Sequence, residues 1–269
     1  MKIGFLITAR LKSSRLPSKI LKDLNGKTVI ERIIDRAKEI HAISEIVICT
    51  SPNSQDKPLI EIAKKNNISY FLGDEDDVLQ RLFDAAKSYK LDYFLGITAD
   101  NPLFSIKYSN RIIDEIKKNG GDFIKIKGLP FGTATYGMNI KALATVCKIK
   151  KIVDTEIWGY LIDRPEIFDV VTIEAEKKLR KPKYRLTLDY KEDYELIKHI
   201  YTNISFRTTL DLVRVVEYLD KHPKIAKINA NCVQLDIDED VKEKTNNYYI
   251  KNYQEIKKIK KEIYSTTRK

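Results

Sequence analysis

The feature that most constrains this chain is an alternation of two patterns over its first 130 residues. Short β-rich apolar runs are each followed by a longer stretch whose apolar side chains recur at helical spacing. The first helical stretch follows Thr28 and Glu31, whose spacing is that of a capping box. Strict alternation implies right-handed crossovers and a parallel sheet with helices on both faces, so we predict a doubly wound α/β fold. The predicted strands are Ile3–Thr8, Glu45–Thr50, Ser69–Leu72 and Asp92–Thr98.

The remainder of the chain predicts two more strands and then helices almost to the end. The strands are expected at Phe168–Glu174 and Tyr184–Asp189. The sequence contains no internal repeat. No flexible linker separates an independent second domain. We therefore predict an α/β domain over residues 1–205 and a helical C-terminal extension over 206–269 that packs on it. A subregion near 128–180 opens on a Gly- and Pro-rich stretch and is expected to form a binding loop or an insertion.

The net charge of +11 arises from 49 Lys or Arg against 38 Asp or Glu. The segment Val241–Lys269 carries nine Lys or Arg and three Glu, a net +6. No nucleic-acid-binding signature accompanies it, so we predict a solvated helix face and no nucleic-acid partner. No apolar run approaches the roughly 18 residues of a membrane helix, the opening residues do not form a signal peptide, and three scattered cysteines offer no disulfide framework. We expect a cytoplasmic protein that does not bind membranes.

A basic loop, Thr8–Lys19, follows the first predicted strand. It contains four cations and three serines, and no carboxylate interrupts it. Such a segment at the carboxyl end of a strand offers N–H groups, hydroxyls and cations to a polyphosphate. It has no glycine and is therefore neither a Walker A nor a dinucleotide motif. A solvated basic turn is the alternative, but the position after the first strand favours phosphate binding.

Two aspartates also follow predicted strands. Asp100 comes after the fourth, and Asp189 comes directly at the end of Tyr184–Asp189. If both strands run parallel in one sheet, both carboxylates lie at its ligand-binding edge. Mg²⁺ usually takes one or two carboxylates together with substrate phosphates and water. Each aspartate alone is better explained as a helix cap, but the pair beside a basic loop favours a metal.

Further motifs extend this pattern along the chain. In order, the motifs are Ala9-Arg10, Ser13-Ser14-Arg15-Leu16-Pro17, Lys19, Leu24–Lys27, Gly73–Arg81, Ile97–Leu103 and Arg185–Asp193. In order and spacing they resemble the cytidylyltransferases that make CMP-activated acidic sugars, in particular the family of spore-coat polysaccharide biosynthesis protein F, relatives of CMP-Kdo synthetase. The likeness covers nearly the whole chain and implies a Rossmann-like nucleotidyltransferase sheet, the substrate CTP and a homodimer. The subregion near 128–180 would then serve dimerisation and acceptor binding.

The resemblance also implies a role for individual residues. Arg10, Arg15 and Lys19 would hold the triphosphate of CTP and, with Asp100, act in catalysis. Asp100 and Asp189 would bind Mg²⁺. The stretch from Asp77 to Arg81 would lie near the base and ribose. The full nucleotide-binding set is Ala9, Arg10, Ser13, Ser14, Arg15, Lys19, Asp77 and Arg81.

The implied reaction transfers CMP from CTP to an acidic sugar of the 3-deoxy-ulosonic or nonulosonic type, with release of pyrophosphate. It would serve surface polysaccharide or glycan biosynthesis. The segment Thr155–Tyr160 lacks a His that family members have, so the acceptor stays open. The alternatives are transfer to a sugar 1-phosphate or a phosphonate, a non-catalytic nucleotide-binding protein, and a glycosyltransferase of similar fold.

Overall fold

The structure is a computed structural model that describes residues 1–266. Its helices and strands alternate through the first half of the chain, as the sequence predicts. The strands are β1 (Ile3–Thr8), β2 (Glu45–Thr50), β3 (Ser69–Leu72), β4 (Tyr93–Thr98), β5 (Phe123–Lys127), β6 (Tyr136–Asn139) and β7 (Val170–Glu174). The helices are α1 (Val29–Lys38), α2 (Lys57–Lys65), α3 (Val78–Ser88), α4 (Ile106–Lys118), α5 (Ile140–Ile149), α6 (Gly159–Ile162), α7 (Lys191–Asn203), α8 (Leu212–Lys221), α9 (Pro223–Ala226), α10 (Glu239–Lys251) and α11 (Tyr253–Ser265).

All seven strands form one sheet in the order β3-β2-β1-β4-β6-β5-β7. The first four strands are parallel, and Thr8 at the end of β1 is in register with Thr98 at the end of β4. The loops that follow these two strands therefore leave the sheet side by side. The doubly wound α/β prediction is confirmed for this half, and the strand predicted at Phe168–Glu174 is present as β7.

Two features of the second half depart from the predictions. The strands β5 and β6 were not predicted, and β6 runs antiparallel to both of its neighbours. The strand predicted at Tyr184–Asp189 is wrong, because this segment makes only an isolated bridge between Phe131 and Arg185. Most of the segment is buried, and Leu188 donates its N–H to the carbonyl of Asp100 at 2.9 Å. Asp189 therefore reaches the site from a loop and not from a strand end.

Apolar side chains alternate between the two faces of the sheet. Phe5 and Ile7 of β1 pack with α1, α2, α4, α7 and α8, whereas Leu6 packs with α3, α5 and α6. Helices α10 and α11 cover this second face through Tyr249 and Ile256. Among residues 1–266, no helix is long and apolar enough to cross a membrane. The domain limits at 205 and 206 stay a prediction.

The predicted capping box is confirmed at the start of α1. The backbone N–H of Glu31 donates to Thr28 Oγ1 at 3.3 Å, and the N–H of Thr28 donates to Glu31 Oε2 at 2.9 Å. Both bonds satisfy donors that a helix N-terminus leaves without partners. The capping box fixes the start of α1 at Val29, so the connection from the basic loop ends at Thr28.

Candidate active site

The basic loop leaves β1 at the carboxyl edge of the sheet and is held there by buried contacts. Ala9 donates its N–H to the carbonyl of Cys49 at 3.1 Å, and Leu11 donates to Asp56 Oδ1 at 2.7 Å. Leu16 and Ile20 bury their side chains in the core. These anchors leave the polar side chains of the loop on the outside, where Ser14 is exposed and Ser13 half-buried.

Lys19 brings the two predicted metal ligands together. Its Nζ donates to Asp100 Oδ2 at 2.7 Å and to Asp189 Oδ1 at 2.8 Å. Burial alone lowers the pKa of Lys19, but the two carboxylates outweigh this effect and raise it. Burial likewise raises the pKa of Asp189, and the nearby Lys19 and Arg15 charges more than reverse that, so this pKa is lowered. Lys19 and Asp189 are therefore both charged at neutral pH.

Arg15 and Arg185 surround the same carboxylate of Asp189. Arg15 Nη2 donates to Oδ1 at 3.1 Å, and Arg185 Nη2 donates to Oδ2 at 2.7 Å. Arg185 also binds Asp193 through Nε at 3.0 Å. The result is a six-charge network in which three cations balance three carboxylates. Its members are Arg15, Lys19, Arg185, Asp100, Asp189 and Asp193.

Arg10, also in the basic loop, lies in a separate, acidic environment. Its Nη1 donates to the carbonyl of Glu75 at 2.8 Å, and its guanidinium pairs with Asp76 at 3.5 Å and Glu156 at 3.3 Å. Lys12 binds the side chain of Glu75 at 3.2 Å. The structure therefore does not bring Arg10 into the six-charge network, although Arg10, Arg15 and Lys19 belong to the same loop.

Asp77 and Arg81 have structural partners around α3. Asp77 caps the helix by accepting from the N–H of Gln80 at 3.1 Å, and its carboxylate also binds Lys150 and Thr155. Arg81 is fully buried and donates Nη1 to the carbonyl of Glu75 at 3.0 Å. That carbonyl is also the acceptor of Arg10, so Arg81 supports the segment that holds the Arg10 guanidinium.

The aspartate pair, Asp100 and Asp189, fits the chemistry of a Mg²⁺ ion that arrives with a nucleotide. Two hard oxygen donors from distant segments already converge on one cation, the ammonium of Lys19. Within residues 1–266 no group of three or more His, Cys, Asp or Glu side chains could hold a metal ion. An ion bound here would therefore need phosphate oxygens and water to complete its shell, which is the usual mode of Mg²⁺.

Sequence reasoning missed several side chains that shape this site. Asn229 and Gln234, from the segment between α9 and α10, contact Asp193 and Arg185. Glu156 pairs with Arg10 from the segment before α6. The spacing of four between Arg185 and Asp189 would indicate an ion pair on a helix, but this segment is not helical, so the spacing does not predict their contact. No local signal indicates the contacts of Asn229, Gln234 or Glu156.

A parallel sheet edge with a cationic loop and two converging carboxylates defines a nucleotide-binding α/β enzyme. The particular family follows from comparison: the chain belongs to the cytidylyltransferase family, whose model matches residues 5–259. It is a nucleotidyltransferase, and the predicted Rossmann-like sheet is confirmed by its structural neighbours.

Two relatives and one solved structure illustrate the similarity. Spore coat polysaccharide biosynthesis protein SpsF of Bacillus subtilis is 28% identical over 231 residues, which cover 83% of this chain and 96% of the relative. A 3-deoxy-manno-octulosonate cytidylyltransferase of Chloroherpeton thalassium is 34% identical over 105 residues, 38% of this chain and 41% of the relative. A cytidylyltransferase structure from Leptospira borgpetersenii superimposes with a TM-score of 0.79 at 29% identity, covering 88% of this chain and all of the other.

Proposed function

We propose that this protein is a Mg²⁺-dependent cytidylyltransferase that transfers CMP from CTP to an acidic sugar and releases pyrophosphate. The acceptor class is a 3-deoxy-ulosonic or nonulosonic acid, and the product serves surface polysaccharide or glycan biosynthesis in the cytoplasm. The observation that carries the proposal is the meeting of Lys19 with Asp100 and Asp189 beside the basic loop. The family membership supports the cytidylyl donor, and the octulosonate-specific relative supports the acceptor class.

The cations of the basic loop would bind the triphosphate. The pKa of Lys19 and that of Arg15 are both raised, for Arg15 because Tyr190 and Asp189 outweigh a lowering by burial, so both stay protonated. Arg15 offers a planar fork for phosphate oxygens, and Lys19 offers a point charge. Arg10 would join them once its pairing with acidic side chains is exchanged for phosphate. Ala9, Ser13 and Ser14 would contribute N–H and hydroxyl groups.

The residues at the sheet edge would do little covalent chemistry. The acceptor oxygen attacks the α-phosphorus of CTP in line, the bond from that phosphorus to the bridging oxygen breaks, pyrophosphate leaves, and the acceptor's hydroxyl proton passes to water. Such transfers depend on positioning and charge neutralisation. When bound at Asp100 and Asp189, Mg²⁺ would neutralise phosphate charge. Lys19 and Arg15 would offset the charge that develops on the leaving group.

The region of Asp77–Arg81 would support the base and ribose indirectly. Arg81 has no solvent exposure, and its Nε and Nη2 have no hydrogen-bond partner among the described residues. The nearby Thr50 Oγ1 is also buried without a partner in that part of the chain. Buried polar groups of this kind are costly, which favours a functional reason for keeping them. We propose that Arg81, which binds the carbonyl of Glu75, orients the 74–76 segment against the nucleotide.

The decisive experiment incubates the purified chain with each of the four nucleoside triphosphates, Mg²⁺ and a panel of acidic sugars, and follows pyrophosphate release. CTP and one acidic sugar should give release, and phosphorus NMR of the product should show a lone phosphodiester signal. A coupled pair of phosphorus signals would instead establish transfer to a sugar 1-phosphate or a phosphonate. Binding of CTP without turnover on any acceptor would favour a nucleotide-binding protein.

We also propose a homodimer that uses the stretch 128–136. The proposal comes from the family resemblance, and Phe131 in this stretch is 45% exposed, with the Arg185 guanidinium 5.4 Å from its ring centre. Sedimentation at micromolar concentration tests the proposal. A wild-type monomer would contradict it, and a dimer that Phe131→Ser dissociates would support it. Neither outcome bears on the catalytic proposal.

A further inference from the structure

The segment between α9 and α10 lies against the six-charge network. We propose that Asn229 in this segment is a positioning residue, which sets the orientation of Asp189 through Arg185 and Asp193. The C-terminal extension is then part of the working site, and the α/β sheet alone would be an incomplete enzyme. This inference rests on the proposed function, since it assigns a role in that same site.

Asn229 joins two of the supporting residues directly. Its Nδ2 donates to Asp193 Oδ1 at 2.7 Å and to the backbone carbonyl of Arg185 at 2.9 Å. The Asn229 side chain is 2% exposed, so these bonds form out of contact with water. An asparagine amide has two N–H donors that need acceptors when buried. The position is therefore specific for a donor, and an apolar residue would leave the carbonyl of Arg185 without this partner.

Asp193 passes this constraint on to the loop that carries Asp189. Asp193 Oδ2 accepts the backbone N–H of Asp189 at 2.9 Å and that of Tyr190 at 3.0 Å. Its Oδ1 accepts from Arg185 Nε at 3.0 Å, and Arg185 in turn binds the Asp189 carboxylate. Both the backbone and the side chain of Asp189 thus depend on the carboxylate that Asn229 holds.

The same segment makes two further contacts with the network. Gln234 Oε1 accepts from Arg185 Nη1 at 2.8 Å, and the carbonyl of Val233 accepts from the hydroxyl of Tyr190 at 3.1 Å. Tyr190 also receives a hydrogen bond from Arg15 Nη1 at 3.3 Å. Arg15 and Arg185, which both touch Asp189, therefore each have at least one contact that leads to this segment of the extension.

The test compares Asn229→Ala with Asn231→Ala, a matched control on an exposed asparagine two positions along. Losing a residue that orients a ligand lowers activity about ten-fold or more. We expect Asn229→Ala to reduce kcat by about that factor, with KM for the acceptor nearly unchanged and a higher Mg²⁺ concentration at half-maximal rate. Gln234→Ala, at an exposed position that binds only Arg185 Nη1 of the network, should shift the same Mg²⁺ dependence by a smaller factor.

Calorimetry supplies a measurement that does not depend on turnover. Asn229→Ala should weaken CTP binding in the presence of Mg²⁺ and leave binding without Mg²⁺ unchanged, whereas a merely structural role would alter both equally. Equal losses, or values like those of Asn231→Ala, would overturn the inference. A wild-type chain that binds CTP but transfers CMP to no acceptor would overturn the proposed transfer. The calorimetric comparison would still test the role of Asn229 in Mg²⁺-dependent CTP binding. If the wild type binds no CTP, both proposals fail.

Discussion

The ammonium of Lys19 lies 2.8 Å from Asp189 Oδ1, although 170 positions separate the two residues in the sequence. Lys19 begins a short 3-10 helix at the end of the basic loop, and Asp189 lies in the loop that precedes α7. The contact exists only because the chain places both segments beside the carboxyl end of β4. It also neutralises, in the free protein, a carboxylate that would bind a metal when nucleotide arrives.

The first prediction uses Lys19→Met to remove this neutralising charge. Breaking a partly buried ion pair leaves Asp100 and Asp189 without their shared partner, which should lower the free energy of unfolding by about 1–3 kcal/mol. Millimolar Mg²⁺ should then substitute for the ammonium. At ten times its Kd, the ion would stabilise the variant by about 1.4 kcal/mol, or about 3 °C in Tm or more. Thermal unfolding with and without Mg²⁺ measures the effect.

The control for this prediction combines Lys19→Met with Asp100→Asn. The double variant also lacks the lysine, but it offers only one of the two carboxylates. Its Tm should therefore respond much less to Mg²⁺. An equal response in both variants would place the ion elsewhere on the protein. The wild type without nucleotide should also respond little, since the ammonium already occupies the space between the carboxylates.

A second prediction concerns the pairing of Arg10 with Glu156. Glu156 lies 3.3 Å from the Arg10 guanidinium and is exposed, so it would compete with an incoming phosphate at modest energetic cost. Exposed ion pairs are worth about 0.2–1 kcal/mol. Glu156→Gln should therefore tighten CTP binding about two- to five-fold, and the gain should shrink at high salt. Calorimetry at two ionic strengths measures both effects.

The matched control is Glu243→Gln, which removes the same charge from the exposed face of α10. It should change CTP affinity only slightly and should not reproduce the salt dependence. Weaker or unchanged binding in Glu156→Gln would show that Arg10 does not contact the triphosphate, and would leave Arg15 and Lys19 as the phosphate-binding cations.

The third prediction follows the pH dependence of the capping box. Burial alone raises the pKa of Glu31, but the Thr28 N–H and Lys65 outweigh it and lower the pKa to about 2 from 4.5. The contribution of the Glu31 carboxylate to the stability of the folded protein is complete above pH 4.5. It is lost as the pH falls towards 2, because the unfolded state takes up the proton first. The free energy of unfolding of the wild type should exceed that of Glu31→Gln by about 1 kcal/mol at pH 6. At pH 3 the difference should be less than half of that.

Urea unfolding of both proteins at a series of pH values measures this difference. Glutamine retains the acceptor oxygen and the length of the side chain but cannot titrate, so the comparison isolates the charge. A difference that stays constant from pH 6 to pH 3 would contradict the lowered pKa of Glu31.

The limits of prediction from sequence are clear at particular residues. The first four strands and the Thr28–Glu31 box are encoded by local patterns, and the structure confirms them. The antiparallel strand β6 has no such signature, because four residues do not reveal which neighbour they will pair with. The segment Tyr184–Asp189 has the composition of a strand, but its bridge from Arg185 to Phe131 does not extend into a ladder.

The site shows the same division between local and distant signals. The charges of Arg15, Lys19, Asp100 and Asp189 stand out in the sequence, and the structure brings these four side chains together. Arg10 was expected beside them, yet it lies with acidic partners that belong to distant segments. Asn229 could not be predicted, because an asparagine between two helices has no pattern that names its partners.

The last prediction concerns Gly132, which passes close to the segment that leads to Asp189. Gly132 has φ +85°, and a Cβ at this position would lie 2.6 Å from the backbone nitrogen of Thr187 and 2.7 Å from Asn101 Oδ1. Gly26 has the same φ of +85°, with nothing within 4 Å of a Cβ, and so serves as the control. Gly26→Ala should cost about 1–2 kcal/mol from backbone strain alone. Gly132→Ala should cost about 1–3 kcal/mol more, because backbone atoms must move, and only this variant should also lose turnover. Urea unfolding measures the stability of both variants, and pyrophosphate release measures their turnover. Equal stability losses would show that the 128–136 loop can shift to accommodate the Cβ without disturbing the site.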